Sequence, residues 1–246
     1  MITKITDSSK LTELLSGTPD IYTEKVRSLF DAYGIDYQFC SFYTQTGGAV
    51  ISDYYRSACV ANCGTRPGDR LAELMEFLTC GMFRKVIMPY YVFEAANIDA
   101  NVAKLALMKC RSDIDTADDI DKVVTETEFS ISEIYEIASD GFDIDFNKWY
   151  TDTSHMIRHG ISKLYALDKK ACAVKMFSYS GITYLSYICT KESERGKGLA
   201  TRLVKSICAA EARRNCTVYV FCEDPLVKFY ENAGFMKIDE AAEITI

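Results

Sequence analysis

The segment Arg195-Gly196-Lys197-Gly198-Leu199-Ala200 does most to limit what this chain can fold into, because it joins the apolar run Thr183 to Thr190 to the amphipathic stretch Leu199 to Cys208. The pattern predicts a strand, a glycine turn and a helix start. Consecutive backbone N–H groups in such a turn converge on one point, and the first helical turn adds donors and a positive dipole end. Gly196 and Gly198 have no Cβ to block a close approach or forbid a left-handed dihedral, while Arg195 and Lys197 put positive charge at the rim. Leu199, Leu203 and Ile207 share one helix face, with Ala200, Val204 and Cys208 beside them and Arg202, Lys205 and Glu211 facing elsewhere. Two readings fit the hexamer alone: a phosphate cradle, or an ordinary strand-to-helix turn with solvated charges. No Gly-Lys-Ser/Thr stands where a nucleoside-triphosphate loop needs it, and the third glycine of a dinucleotide fingerprint is missing.

The residues downstream decide between them. Thr217 to Cys222 predicts a buried strand, Asp224-Pro225 a helix cap and first helical residue, Gly234 a helix end and Phe235 the start of a last strand. The order is strand, loop, helix, strand, helix, strand. At these residues the chain resembles the GNAT superfamily of acetyl-coenzyme A dependent N-acetyltransferases. Arg195, Gly198 and Ala200 match that family's R-x-x-G-x-A loop, and Phe229-Tyr230 with Gly234-Phe235 matches its F-Y-x-x-x-G-F segment. The resemblance covers roughly residues 122–246. It implies an α+β chain with the GNAT acyl-CoA N-acyltransferase fold, a mixed, mostly antiparallel sheet flanked by helices.

At 246 residues the chain is long for one such domain, and two are expected. Residues 1–111 read as helix (Tyr22 to Tyr33, ending at Gly34), hairpin (Tyr37 to Tyr43 and Ala49 to Tyr54), strand (Ser57 to Asn62), helix (Asp69 to Thr79) and strand (Lys85 to Tyr91). This order echoes the second half, so the expectation is a tandem with a degenerate GNAT-like N-terminal copy. The hexamer has no counterpart there: Asn62 to Gly68 precedes the helix instead, and Pro67 has no N–H to offer a phosphate. The polar, acidic stretch 112–121 reads as a linker and 122–246 as the catalytic domain, beginning with a strand at Val123 to Thr127, helices at Ser130 to Ser139 and Phe146 to Arg158, and strands at Ile161 to Leu167 and Cys172 to Tyr179.

Composition narrows the partners. The formal charge of −7 divides evenly, with 12 basic and 16 acidic side chains in residues 1–120 and 16 and 19 in residues 121–246, which argues against nucleic acid and favours a cationic amine. No apolar run reaches the ~18 residues of a membrane span, and the polar start Met1 to Lys10 has no signal-peptide core, so no membrane partner and a cytoplasmic address are expected. Ten cysteines without a C-x-x-C, beside only two histidines, predict buried thiols and no metal.

The resemblance implies direct acetyl transfer from acetyl-coenzyme A to a primary amine of a small molecule or peptide, with no acyl-enzyme. It implies that Ile188, Cys189 and Thr190 hold the pantetheine arm of coenzyme A and that the N–H groups of Gly196, Lys197, Gly198, Leu199, Ala200 and Thr201, behind Arg195, hold its diphosphate. Tyr230 takes the general-acid position; from sequence alone a tyrosine merely packed among Leu226, Phe229 and Phe235 looks the same. Glu223 stands where many members carry Asn, which puts that side-chain contact in doubt. The base stays open among His159, at the foot of a helix, Glu133, Glu136, Glu192 and a water chain. Other readings are a catalytically silent coenzyme-binding or interaction module, or a transferase for another acyl group. The N-terminal half either shapes the acceptor pocket, the preferred role, or mediates a homodimer.

Overall fold

The computed structural model describes residues 1–62, 68–111, 124–125 and 129–246. The chain divides into two compact units, Met1–Leu107 with Asp239–Ile246, and Met108–Ile238.

The first unit contains β1 (Ile2–Lys4), α1 (Ser8–Leu14), α2 (Ile21–Tyr33), β2 (Cys40–Gln45), β3 (Val50–Tyr54), β4 (Ser57–Ala61), α3 (Gly68–Thr79), β5 (Lys85–Pro89), α4 (Tyr90–Ala96) and most of β6 (Asn101–Cys110). Strands β1 to β4 form an antiparallel meander and β4 pairs parallel with β5. Asp20 caps α2 by accepting from the N–H groups of Tyr22 and Thr23, and Gly34, at φ 62°, ends it. The core gathers Ile51, Val60, Leu74, Leu78, Val86 and Met88. The predicted strand from Lys85 to Tyr91 stops at Pro89, which occupies the N-cap of α4 with φ −56° and ψ 135°. Its missing N–H suits a helix start, where donors have no partners anyway.

The last strand, β12 (Phe235–Thr245), differs from its predicted place in the catalytic half. Its residues Ala241 to Thr245 pair antiparallel with Pro89 to Lys85 of β5, and Ala242 and Ile244 join the first unit's core. The unit boundary therefore falls inside β12 and inside β6. The chain's tail belongs to the first unit because its ladder partners are there. Of the Asn62 to Gly68 segment, Cys63 to Pro67 lie outside the described residues, as does the predicted linker from residue 112 to 121.

The second unit holds β7 (Val124–Thr125), α5 (Ile131–Ala138), α6 (Phe146–Arg158), β8 (Lys163–Leu167), β9 (Ala171–Tyr179), β10 (Ile182–Thr190), a 3-10 turn (Glu192–Glu194), α7 (Leu199–Ala212), β11 (Thr217–Glu223) and α8 (Asp224–Asn232). Of the predicted strand at Val123 to Thr127 only β7 falls among the described residues. Strands β7 to β10 are antiparallel neighbours, and β11 joins β10 in parallel. A reciprocal capping box between Ser130 and Glu133 starts α5, and Asp145 caps α6. Ile134, Ile137, Ala138 and Trp149 pack on Leu164, Ala166, Cys172, Val174 and Cys189. Along β9 the next residue, Lys175, pairs instead with Glu211 of α7, so α5 and α7 cover opposite faces of the sheet.

Candidate functional site

The site begins where β10 and β11 part. The parallel ladder joins Ile182, Thr183 and Tyr184 to Thr217, Val218 and Tyr219 and stops there, although β10 continues to Thr190 and β11 to Glu223. On its other edge β10 is bulged: between the pairs Ser186 to Val174 and Cys189 to Cys172, Tyr187 and Ile188 stand opposite Ala173 alone. Tyr187 takes φ 49° there, and its ring packs edge-on against Phe142 and Trp149. A further register shift against β9 falls between Tyr184 and Leu185, where the parallel ladder stops, and such irregularities increase local twist and re-aim a strand. The backbone of β10 from Leu185 onward therefore turns toward β11 with no ladder partner from it.

The glycine turn follows directly. Gly196 and Gly198 take φ 78° and 73°, and a Cβ at either would meet no atom within 4 Å. The space over the turn is open, and only the dihedrals demand glycine. Gly198 is the N-cap of α7 with no side-chain cap, and the first intrahelical bond runs from the Arg202 N–H to the Gly198 carbonyl. The N–H groups of Leu199, Ala200 and Thr201 thus have no acceptor within the helix, and the dipole end lies beside them. Open space, left-handed glycines and uncapped donors fit a diphosphate.

The rim charges differ from expectation. Arg195 turns its guanidinium back onto the carbonyls of Asp140, at 2.6 Å, and Thr190, at 3.3 Å. Lys197 pairs with Glu194 at 2.9 Å, and Lys170 stands 3.9 Å from the same carboxylate. Asp140, which nothing in its local sequence singles out, also accepts from the Glu192 N–H at 2.8 Å. The turn is tied down by Arg195 and Asp140 together. Cys189 is buried against Gly141 beneath it, and burial pushes its thiol up.

Tyr230, on α8, is 6 % exposed and sits between the rings of Phe229 and Phe235. Burial first, then the Cys222 thiol of β11 and the Tyr184 phenol of β10, push its pKa well above the usual tyrosine value. Those two neighbours belong to the two strands that part. Neither Tyr184 nor Cys222 is marked by any local motif. The helix begins one residue earlier than predicted, with exposed Glu223 at the N-cap making no side-chain cap bond.

His159 lies at the end of α6. It caps the C-terminus of α6, exposed, with its ring 4.3 Å from that of His155, beside the start of β8. The β8 start pairs with Lys175 of β9, whereas Ala171, at the other end of β9, pairs with Thr190 before the turn. Among the carboxylates, Glu133 is held by Lys169 and the Ser130 cap at a pKa of about 2, too low for a base. Among the described residues no cluster of His, Cys, Asp and Glu could hold a metal ion, and no helix is long and apolar enough to cross a membrane.

Residues 161–237 match the family model of the acetyltransferase (GNAT) domain. No curated protein sequence matches the chain. Among solved structures, an acetyltransferase from the GNAT family of Colwellia psychrerythraea aligns over 100 % of this chain and 99 % of its own, at 11 % identity and a TM-score of 0.64. A tandem GNAT protein from the clavulanic acid biosynthesis pathway aligns over 100 % and 98 %, also at 11 % identity and a TM-score of 0.64. A GNAT-family protein from Novosphingobium aromaticivorans is 21 % identical over 58 % of this chain, which spans 64 % of that protein's length, with a TM-score of 0.48. At these identities the likeness over the full length is one of fold. The parted strands, the glycine turn and the matched segment agree, and the chain is a two-unit α+β protein of GNAT fold whose residues 161–237 match the GNAT acetyltransferase domain.

Proposed function

We propose that the second unit transfers an acetyl group from acetyl-coenzyme A directly to a primary amine of a small molecule or peptide. The observation that carries this reading is the parting of β10 from β11 between the glycine turn and the buried phenol of Tyr230. Acetyl-coenzyme A, when bound, supplies the thioester carbonyl and the thiolate leaving group. The backbone of Ile188, Cys189 and Thr190 holds the pantetheine arm along the free edge of β10, replacing the ladder bonds that β11 does not make. The N–H groups from Gly196 to Thr201 hold the diphosphate. Tyr230, a phenol inside the matched segment and beside the parted strands, gives its proton to the departing sulfur. The amine must lose a proton; Glu133, held at a low pKa by Lys169, is poorly suited to take it, and His159, Glu136, Glu192 and a water chain stay open as the base.

The first unit is a GNAT-like copy that binds no coenzyme: its element order repeats part of the second unit's, and a tandem GNAT protein is among the fold's neighbours. Calorimetry with coenzyme A should give one site per chain. Thiol release from acetyl-coenzyme A in the presence of an amine panel should fall about 10²- to 10⁴-fold in Tyr230→Phe, with coenzyme affinity within about twofold of wild type. Equal turnover in the variant removes Tyr230 from the mechanism, and coenzyme binding without turnover on any amine makes the unit a silent binding module.

A further inference from the structure

Six aromatic rings of the second unit touch in one run, Tyr150 to Phe146 to Tyr135 to Trp149 to Tyr187 to Phe142, with neighbouring centroids 4.8–6.0 Å apart. Apolar side chains exposed singly are ordinary on a protein surface, but here three rings of one connected set, Phe142, Phe146 and Tyr150, reach solvent. Phe142 ends the run at the bulge of β10, 37 % exposed, its ring edge-on to that of half-buried Tyr187 with centroids 5.2 Å apart. Its place is fixed. The Phe142 N–H donates to the Ala138 carbonyl at the end of α5, and just before it Asp140 is tied to Arg195 and to the Glu192 N–H. An exposed ring held this firmly loses little freedom when a ligand arrives.

The position of the ring gives it a role under the acetyl-transfer reading above, on which this inference rests. From a diphosphate at the glycine turn the coenzyme arm passes Thr190, Cys189 and Ile188 in turn, which brings its thioester level with Tyr187. Helix α8, which carries Tyr230, neighbours α7, and α7 covers the sheet face opposite α5. With the acid on that side, the face of α5 and α6 is left for the amine, and Phe142 stands there beside Tyr187. A phenyl ring carries no net charge, and what it binds best is apolar surface taken out of water. We propose that Phe142, backed by Tyr187, selects the acceptor, a primary amine bearing an aromatic or branched apolar group, with its nitrogen at the thioester and that group against the Phe142 ring.

The test measures kcat/KM of the full chain with acetyl-coenzyme A and three probes, phenethylamine, ethylamine and ethylenediamine. Wild type should prefer phenethylamine to both others by about tenfold or more. In Phe142→Ala the ratio of phenethylamine to ethylamine should fall at least about fivefold, mainly through KM, and Phe142→Leu should recover part of it. A Trp149 fluorescence melt checks that each variant is folded. No turnover with these or any other amine overturns the transfer reading and this proposal with it. Turnover in which ethylamine or ethylenediamine matches phenethylamine, or an unchanged ratio in folded Phe142→Ala, overturns this proposal alone and leaves the transfer reading standing.

Discussion

The pair between Lys175 and Glu211 should govern the stability of the second unit. Both side chains are buried, at 7 % and 1 % exposure, and the Nζ to Oε1 distance is 3.2 Å. At an effective dielectric of about 20 the attraction at that distance is about 5 kcal/mol, a gain largely offset by the cost of taking both ions out of water. The net worth of the intact pair is therefore small, and the cost of breaking it is not. Glu211→Leu leaves the Lys175 ammonium buried without its counter-ion and takes the acceptor from Thr183 Oγ1. Thr183 keeps a partner, because its hydroxyl also lies 2.8 Å from that of Ser178. The stranded charge then dominates, at about 3–5 kcal/mol, a large part of the 5–15 kcal/mol that holds a domain together. Adding Lys175→Met removes the stranded charge, and the double variant should recover to within about 1–2 kcal/mol of wild type. Urea unfolding followed by fluorescence isolates the relevant unit, since Trp149 is the one tryptophan and sits in the core under α5. A loss below about 1 kcal/mol in Glu211→Leu, or a double variant no more stable than the single, would refute the claim that Glu211 is there to compensate Lys175.

Two further outcomes follow from the buried thiols. Burial raises Cys40 to about 12 and Cys222 to about 11, and also raises Cys172, Cys189 and Cys208 above the ordinary 9.0. The unfolded chain loses these protons first, so their contribution is complete below about pH 9 and is lost as pH rises through the native values, at about 1.4 kcal/mol per pH unit for each thiol ionised only when unfolded. The urea midpoint should therefore drop between pH 8 and pH 10.5, and a constant midpoint would show that the thiols are accessible. In the second case, a Cβ on Gly141 would stand 2.9 Å from Cys189 Sγ, so Gly141→Ala should cost about 1–3 kcal/mol in wild type and much less in a Cys189→Ala background. Equal costs in the two backgrounds, read from urea midpoints, would mean the strain lies elsewhere.

Much of this fold is legible because local chemistry and tertiary contacts agree. The bounds of α6 follow from Asp145 before it and Gly160, at φ 71°, after it, and the turn at Gly196 and Gly198 from glycines that take left-handed dihedrals. Other elements are decided by partners far away in sequence. The aromatic pair Tyr90 and Tyr91 favours a strand by propensity, yet it opens α4 once Pro89 has ended the ladder. Nothing between Phe235 and Thr245 marks the point at which β12 leaves the second unit, since only its pairing with β5 defines it. The bulge at Tyr187 and Ile188 is silent for the same reason: an apolar run reads alike whether or not one residue is left over in the ladder.

Arg195 changes what the glycine turn can be asked to do. The Nε and Nη2 groups of Arg195 donate to the carbonyls of Thr190 and Asp140, so two of its five donors hold the loop. Lys197 is shared with Glu194, and Glu194 in turn draws Lys170 toward it. The side chains nearest the turn are thus largely balanced among themselves. In the proposed function, oriented backbone N–H groups and the N-terminal dipole of α7 supply attraction for the diphosphate at no cost of reorganisation. That explains why the turn needs its anchor. Backbone donors converge on one point only while the loop keeps its shape, and Arg195 with Asp140 fixes both the strand exit at Thr190 and the short turn at Glu192. In the proposed function the arginine of the motif holds the loop, and the glycines give it its curvature.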